Sequence, residues 1–328
     1  MRKPALLATV STICMTTLAT SVLILASGSA VAATFTIIDV SGATGTFPLS
    51  MNAGGSVTGY YNVSGTDHGF LRTADGTIVT FDPPGSTYTY PASINASGSI
   101  AGVYEDDVGA HGFVRSADGT ITSFDGATGD TAATSINNQG SIVGSEYNYG
   151  GSTGFVRAPD GTMTPFEVPH AKHTDPTGIN AEGAIAGVYD ERRAFVRATD
   201  GTIKKFSPFS GRSAAATGIN DRGSVTGYYV DANGIAHGFV RASGGKITSF
   251  DPSGSQDTYV AGINRKGTIT GEYLDGETHG FVRHSTGKIT SFDVPKAIDT
   301  EPLAINDSGA VTGIYTDSIG THGFIRTP

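Results

Sequence analysis

The stretch that decides the fold is Ser135-Ile-Asn-Asn-Gln-Gly-Ser-Ile-Val-Gly144. It predicts the end of one β-strand, a tight Asn-x-x-Gly turn and the start of a second strand, because Gly at the end of such a turn tolerates positive φ. The same turn occurs seven times, at a spacing of about 42 residues that is typical of repeat folds. Its asparagines are Asn52, Asn95, Asn137, Asn180, Asn220, Asn264 and Asn306.

A second motif, His-Gly-Phe-Val-Arg in most copies, repeats in step with this turn. Its phenylalanines are Phe70, Phe113, Phe155, Phe195, Phe239, Phe281 and Phe324, and an arginine follows each of them two residues later. A segment similar to Ile-Thr-Ser-Phe-Asp comes next, in four copies through an Asp-Gly turn that favours a hairpin. Each repeat therefore predicts four short antiparallel strands, a to d in chain order, which is the pattern of a β-propeller blade.

The two ends of the repeat region indicate a closed ring. Residues 35–40 resemble the strand d at residues 289–294, whereas the last copy stops at a strand c, residues 322–326. A ring that borrows its first strand to complete its last blade leaves no open edge. We therefore expect an all-β fold, a seven-bladed β-propeller with four-stranded blades, closed by the N-terminal strand. A solenoid is the competing architecture, but it would require atypical capping repeats.

Residues 1–32 differ from the rest of the chain. Arg2 and Lys3 precede an apolar and small-residue stretch that ends in Ala30-Val31-Ala32, the pattern of a signal peptidase site. We expect a signal peptide over 1–32, a single propeller domain over 33–328, and a secreted product, extracellular or periplasmic, without a membrane anchor. An uncleaved anchor is the alternative, although Thr and Ser interrupt the apolar run. The only cysteine, Cys14, lies in this segment, so the mature chain has no disulfide.

The charge balance excludes some partners. Of the 21 basic residues, Arg2 and Lys3 lie in the predicted signal, so 19 remain against 30 acidic residues and the net charge is −11. An acidic surface argues against nucleic acid and anionic membranes as partners.

The repeat resembles a known group. The units Ile-Asn-x-x-Gly-x-Ile-x-Gly-x-Tyr followed by His-Gly-Phe-Val-Arg are similar to those of the extracellular HAF-repeat family, and the match covers residues 33–328. The resemblance implies export and a repeat fold. It supplies no activity and no site residues.

The b–c and d–a loops are longer and more variable than the a–b and c–d turns, and they are expected on the opposite face. Variable loops on a rigid scaffold commonly carry function. That face also repeats a Tyr at the end of strand b, a His at the start of strand c and an Asp at the end of strand d. These side chains form either a ring around a central ligand or metal, or a hydrogen-bond network that fixes each blade to its neighbour. A feature that occurs once per blade favours the structural interpretation.

Departures from the repeat cluster in the third and fourth copies. Glu146 replaces the Tyr of strand b, Thr153 the His of strand c, and Glu167 the Asp of strand d, while the next crossover carries His170 and His173. Histidines beside carboxylates can bind metal or act as a general base, but His-x-x-His without a placed third ligand assigns no metal, and ordinary repeat decay is the alternative. The candidate ligand-binding residues are Glu146, Glu167, His170, Lys172, His173, Asp175, Asp190, Arg192 and Arg193.

The sequence contains no cofactor fingerprint. Loops such as residues 104–107 and 231–234 offer oxygen atoms to calcium, yet neither completes a calcium-binding loop. We expect a monomeric scaffold that binds an extracellular glycan or protein through its loops. The alternatives are a lyase or hydrolase acting on an extracellular polysaccharide, with its site over the junction of the third and fourth blades, and a purely structural surface protein.

Overall fold

The computed structural model describes residues 33–127, 129–190, 193–209 and 213–328. Every regular element in these ranges is a β-strand. The same ranges contain no helix of the length and apolarity needed to cross a membrane. The predicted signal peptide and Arg192 lie outside the described residues.

The strands follow the predicted order in each copy of the repeat. The a strands are β2 (Gly45–Met51), β6 (Tyr88–Ile94), β10 (Asp130–Ile136), β14 (Thr174–Ile179), β18 (Ser213–Ile219), β22 (Asp257–Ile263) and β26 (Asp299–Ile305). The b strands are β3 (Val57–Val63), β7 (Ile100–Glu105), β11 (Ile142–Asn148), β15 (Ile185–Tyr189), β19 (Val225–Val230), β23 (Ile269–Leu274) and β27 (Val311–Thr316).

The outer strands complete each set. The c strands are β4 (Thr66–Arg72), β8 (Ala110–Arg115), β12 (Gly151–Arg157), β16 (Arg193–Arg197), β20 (Ala236–Arg241), β24 (Thr278–Arg283) and β28 (Thr321–Thr327). The d strands are β5 (Ile78–Phe81), β9 (Ile121–Phe124), β13 (Met163–Phe166), β17 (Ile203–Phe206), β21 (Ile247–Phe250), β25 (Ile289–Phe292) and, by its pairing, β1 (Thr34–Ile38).

Each set of four strands forms an antiparallel meander. Five of these sets are separate four-stranded sheets, and the remaining eight strands form one sheet. In that sheet, β2–β5 and the set of β26, β27, β28 and β1 meet at a single parallel bridge between Gly45 and Thr321. β1 pairs with β28 from Thr34↔Thr327 to Ile38↔Gly323. The prediction of an all-β fold made of repeated four-stranded units is confirmed.

The Gly of strand b is required by a close approach to strand a. A Cβ atom on Gly144 would lie 1.9 Å from the Ala132 carbonyl oxygen, so a larger residue cannot be accommodated without moving the backbone. The a–b register shifts between Ala133 and Ser135, next to this contact, which is the signature of a β-bulge. The glycine of the Ile-x-Gly motif therefore follows from strand packing.

Aromatic and cationic side chains join neighbouring copies. The Phe of strand c is fully buried in every copy; Phe113, for example, packs edge-on against Phe81 of the preceding strand d at 6.1 Å. The guanidinium carbon of Arg115 lies 5.0 Å from the centroid of the same Phe81 ring. Equivalent pairs are Arg157–Phe124, Arg197–Phe166, Arg241–Phe206, Arg283–Phe250 and Arg326–Phe292. The repeated arginines thus hold adjacent units together by cation–π contacts.

The turn asparagines form a hydrogen-bonded chain between copies. Asn52 Nδ2 donates to the backbone carbonyl of Asn95 at 3.1 Å, and Asn306 Nδ2 donates to the carbonyl of Asn52 at 3.2 Å. The intervening asparagines follow the same rule in chain order. We call the side with the a–b and c–d turns the turn face, and the side with the b–c and d–a connections the loop face. The asparagine turns border a cavity of about 190 Å³ on the turn face.

Candidate loop-face site

Five copies carry the same His, Asp and Tyr on the loop face. In the second copy, His111 Nδ1 lies 2.7 Å from Asp125 Oδ1, and the Tyr104 ring lies 5.1 Å from the imidazole. The equivalent pairs are His68–Asp82, His237–Asp251, His279–Asp293 and His322–Asp39. In each pair both residues belong to one four-stranded set. The network therefore fixes strand c to strand d within a set, and the expectation that it fixes a blade to its neighbour was wrong.

The second imidazole nitrogen also has an acidic neighbour. His111 Nε2 lies 3.1 Å from Asp106 Oδ1, in the b–c loop. The hydrogen bond to Asp125 is the main cause that raises the pKa of His111, and burial only partly opposes it. His279 has the same arrangement and the same direction of pKa shift. A protonated imidazole donates to both carboxylates and so holds the b–c loop on the sheet.

The loop aspartates considered as calcium ligands hold turns. Asp106 Oδ1 accepts hydrogen bonds from the backbone amides of Val108 at 2.7 Å and Gly109 at 3.2 Å. Asp231 Oδ1 accepts the amide of Asn233 at 2.8 Å in the same way. Within the described ranges, no group of three or more His, Cys, Asp or Glu side chains is placed to hold a metal ion.

In the third copy, the substituted residues have local partners. The Glu146 side chain is only 6% exposed, and its Oε2 accepts the Ala127 amide at 3.0 Å. Thr153 Oγ1 donates to Glu167 Oε1 at 3.2 Å, in the position of the His–Asp pair. Glu146 therefore holds the crossover that precedes its own strand a, and Glu167 lies exposed at the end of strand d.

In the fourth copy, Asp190 fixes the crossover. Its Oδ1 accepts the backbone amides of Lys172 at 2.7 Å and His173 at 3.2 Å. Burial opposes the shift, but these hydrogen bonds prevail and lower the pKa of Asp190. His173 Nδ1 lies 3.5 Å from Ser152 Oγ, at the limit of a hydrogen bond.

The other predicted residues point to separate places. His170 is exposed, with φ of 64°, and the Lys172 side chain is exposed as well. Asp175 accepts a hydrogen bond from Ser145 Oγ at 3.0 Å, between strand a of the fourth copy and strand b of the third. Arg193 is exposed at the start of β16. The described members of the predicted set thus divide into small groups rather than lining one pocket.

Sequence reasoning missed Lys205 in this region. Its Nζ lies 4.8 Å from the Tyr189 ring centroid and donates to the Pro169 carbonyl at 2.5 Å. Strand d thus supplies the cation that covers the Tyr ring in the one copy where Arg193 replaces the His. The signal was the Lys204-Lys205 pair, at two positions where strand d of every other copy has at least one Thr or Ser.

A group of aromatic side chains in the first two copies was also missed. Phe47 and Tyr60 stack with ring centroids 4.6 Å apart and an interplanar angle of 10°. Tyr60 meets Tyr90, of the next copy, edge-on at 5.3 Å. These positions adjoin the repeated Thr of strand a and the repeated Tyr of strand b, and they vary from copy to copy. That variation was the available signal.

A carboxylate occupies the strand b position in the sixth copy, Glu272, and the strand a position in the seventh, Glu301. Burial, reinforced by the charges of Glu301 and Asp299, raises the pKa of Glu272 to about 7. Burial and Asp299 also raise the pKa of Glu301. Glu272 therefore has a substantial neutral fraction near pH 7.

Exposed large apolar side chains concentrate on the loop face. Seven such residues lie in b–c or d–a connections or at the adjoining end of strand b: Val108, Tyr147, Tyr149, Phe209, Ile235, Ile298 and Ile319. The two others in the described ranges, Ile37 and Val79, lie on d strands. Val108 is 88% exposed and Ile319 is 85% exposed. Three of the seven, Val108, Tyr147 and Tyr149, line one surface hollow.

Comparison with solved structures identifies the architecture. A streptogramin B lyase superposes with a TM-score of 0.63 and 14% identity over 89% of this chain and 97% of that chain. The β-propeller domain of the Trilobed protease from Pyrococcus furiosus has a TM-score of 0.62 and 10% identity over 88% of this chain and 94% of that chain. The fold is a β-propeller.

A third structure agrees. Virginiamycin B lyase from Staphylococcus aureus superposes with a TM-score of 0.63 and 14% identity, over 90% of this chain and all of that chain. At these identities the likeness establishes the propeller fold alone. No protein-family model and no curated protein matches the sequence.

Proposed function

We propose that this chain is a secreted, monomeric, seven-bladed β-propeller of the HAF-repeat type that binds an extracellular glycan or protein through its loop face. The ring is closed by β1, which completes the last blade. Two features support the closure: β1 pairs with β28 over five residues, and the asparagine chain leads from Asn306 back to Asn52. A closed ring protects the sheet edges that an open array would expose.

Deletion of residues 34–40 tests the closure. The variant loses the β1–β28 ladder, at about 1 kcal/mol per backbone hydrogen bond, together with the burial of Ile38. We expect a fall of several kcal/mol in the free energy of unfolding, measured by chemical denaturation against a protein that starts at Ala33. Unchanged unfolding would contradict a ring closed by this strand.

The binding proposal rests on one observation, the concentration of exposed apolar side chains on the loop face. Val108 and Ile319 are in b–c loops whose aspartates fix the backbone, so these side chains are presented by ordered turns. Preorganised loops lose little conformational entropy on binding. On the turn face, by contrast, the described a–b and c–d turns carry none of the large exposed apolar residues.

The geometry favours a scaffold over the enzymatic alternative. A general base must lie within hydrogen-bond reach of its proton, and a catalytic carboxylate must be available to substrate. Glu146 is buried and bound to Ala127, Asp190 is bound to two backbone amides, and His170 is exposed in the crossover. These residues build the crossovers of the third and fourth blades.

Paired serine substitutions test the binding face. Ile235 on the loop face and Val79 on strand d are each 41% exposed, so Ile235→Ser and Val79→Ser remove equally accessible apolar groups. We expect Ile235→Ser, and more strongly Val108→Ser with Ile319→Ser, to reduce retention of envelope proteins and glycans of the producing organism by the immobilised protein. Val79→Ser should bind like the parent. Equal losses in both variants would contradict the assignment of the face.

A further inference from the structure

A small cavity opens on the loop face beside the first blade. Its volume is about 320 Å³, and its lining includes Phe47, Tyr60, Asn62 and Asp67. Ligand sites commonly begin at about 300 Å³ and combine apolar walls with a few placed polar groups. This cavity has both features.

The aromatic part of the cavity is held in place on several sides. Phe47 stacks on Tyr60, and Tyr60 meets Tyr90 edge-on. Tyr90 in turn lies parallel to Tyr88 at 6.4 Å. A Cβ atom on Gly45 would lie 2.9 Å from the Phe47 ring, so this glycine is what allows the ring to lie over the backbone. The rings are therefore fixed before any ligand arrives.

The polar part forms a connected chain. Thr44 Oγ1 donates to Asn62 Oδ1 at 2.9 Å, Asn62 Nδ2 donates to Asp67 Oδ1 at 2.7 Å, and Tyr90 Oη donates to Asp67 Oδ2 at 3.0 Å. Each carboxylate oxygen has a further lone pair available, because a carboxylate accepts about four hydrogen bonds. Asp67 is thus an oriented acceptor at the cavity.

The charge of Asp67 also affects the neighbouring hydrogen-bond donor, the Tyr60 hydroxyl. Burial and the Asp67 carboxylate raise the pKa of Tyr60, so its hydroxyl stays protonated over the physiological range. The cavity consequently offers aromatic surface, a phenol donor and a carboxylate acceptor. A pyranose ring presents the complementary groups, with apolar C–H surface for the aromatic rings and hydroxyl groups for Asp67 and Tyr60.

We infer that this cavity binds one ring of a neutral saccharide; the inference rests on the proposed function and names its ligand class. A uronate ring fits less well, because its carboxylate would approach Asp67 in a chain whose net charge is −9. The arrangement is particular to the first blade. In the fifth blade Tyr228 has the strand b position of Tyr60 and meets Tyr259 edge-on at 5.1 Å. There, however, an alanine, Ala236, stands in the place of Asp67.

Calorimetric titration with neutral hexasaccharides tests the inference. The probes are cellohexaose, laminarihexaose, maltohexaose and xylohexaose, with hexagalacturonate as the charged counterpart. We expect at least one neutral probe to bind more tightly than hexagalacturonate. Tyr60→Ala should weaken that binding about tenfold or more, and Tyr228→Ala, the matched control, should leave it unchanged.

Two conservative variants separate binding from folding. Tyr60→Phe keeps the stack and removes the donor, so it should weaken binding less than Tyr60→Ala. Asp67→Asn should lower the affinity for the neutral probe and also reduce the discrimination against hexagalacturonate, which a merely structural role would not do. Thermal unfolding of each variant verifies that the propeller is intact.

The outcomes distinguish this inference from the proposed function. If the parent binds none of the probes at millimolar concentration, prefers hexagalacturonate, or loses as much affinity in Tyr228→Ala as in Tyr60→Ala, the saccharide site is wrong. The scaffold function then still stands if Val108→Ser with Ile319→Ser reduces retention of envelope components. If the loop-tip variants have no effect while Tyr60→Ala abolishes saccharide binding, the saccharide site stands and the loop-tip surface fails.

Discussion

On the turn face the residue after strand a is asparagine in every copy, and each asparagine binds the next copy. On the loop face, the residues beside the repeated Thr and Tyr change from one copy of the repeat to the next: Phe47 and Tyr60 in the first copy, Glu272 in the sixth, Glu301 in the seventh. A residue that recurs in every blade is explained by assembly. The varying positions are free to serve a ligand.

The loop face itself contains both kinds of residue. The His–Asp–Tyr groups recur in five copies, and each is bonded within its own blade. They look like catalytic groups by residue type, yet their partners show that they fix the strands below the loops. A structural role on either face is therefore recognised from the partners of a side chain and not from its residue type.

The largest effect is expected on the turn face. Asn137→Ala removes the Nδ2 bond to the Asn180 carbonyl and the Oδ1 acceptor for the Gln139 and Ser141 amides. Because these groups are buried, we expect a loss of about 2–4 kcal/mol in the free energy of unfolding. Asn148→Ala, on the loop face, removes only an exposed bond to Gly150 and should cost about 1 kcal/mol or less. If both variants lost a similar amount of unfolding free energy, the two faces would not differ in this respect.

A substitution in the loop-side half of the sixth blade is expected to have the opposite effect and to raise the free energy of unfolding. The pKa of Glu272 is raised to about 7 from 4.5, so the folded protein holds a proton that the unfolded chain has lost between these values. The contribution of Glu272 to the free energy of unfolding is therefore fully present below about pH 4.5, and it is lost as the pH rises through 7. Glu272→Gln should stabilise the protein by about 1–3 kcal/mol at pH 8 and have almost no effect at pH 4.

Thermal unfolding across pH measures this difference. Glu277→Gln, which changes an exposed glutamate in a b–c loop, is the control and should shift the melting temperature little at either pH. A Glu272→Gln variant that is destabilised at pH 8 would mean that the carboxylate contributes to assembly, as the turn-face asparagines do.

The smallest effect is expected for the two crossover histidines. His170 is exposed and the His173 side chain makes one long hydrogen bond, to Ser152, so replacing both with alanine should change the free energy of unfolding by about 0.5 kcal/mol. Retention of envelope components should stay as in the parent. Loss of binding or of a polysaccharide-degrading activity in the double variant would restore this crossover as a functional site.

The repeat allowed most of the fold to be predicted from sequence, because each signal acts locally. The Asn-x-x-Gly turn, the Asp-Gly hairpin and the Ile-x-Gly contact depend on residues within one blade, and their repetition confirms the strand order. Sites between blades depend on register across sheets. Tyr90 reaches Asp67 from 23 residues away, and no sequence spacing indicates that pairing.

For the candidate cluster in the third and fourth blades, the sequence predicted a shared site that the side chains do not form. His170 and His173 are close in sequence, but φ of 64° at His170 belongs to a turn that leaves its side chain in solvent. Glu146 was correctly recognised as a departure from the repeat, but its partner, the Ala127 amide, is a backbone group that side-chain patterns do not reveal.

The pairing of β1 with β28 has a consequence for folding order. Asp39 and His322 are 283 positions apart, so among the described strands β1 is synthesised first and its partner last. Contacts of such separation slow folding. Because Thr34 lies opposite Thr327, a short linker could join these ends as a hairpin, and a circular permutant opened in another d–a connection should refold faster while retaining the same loop face.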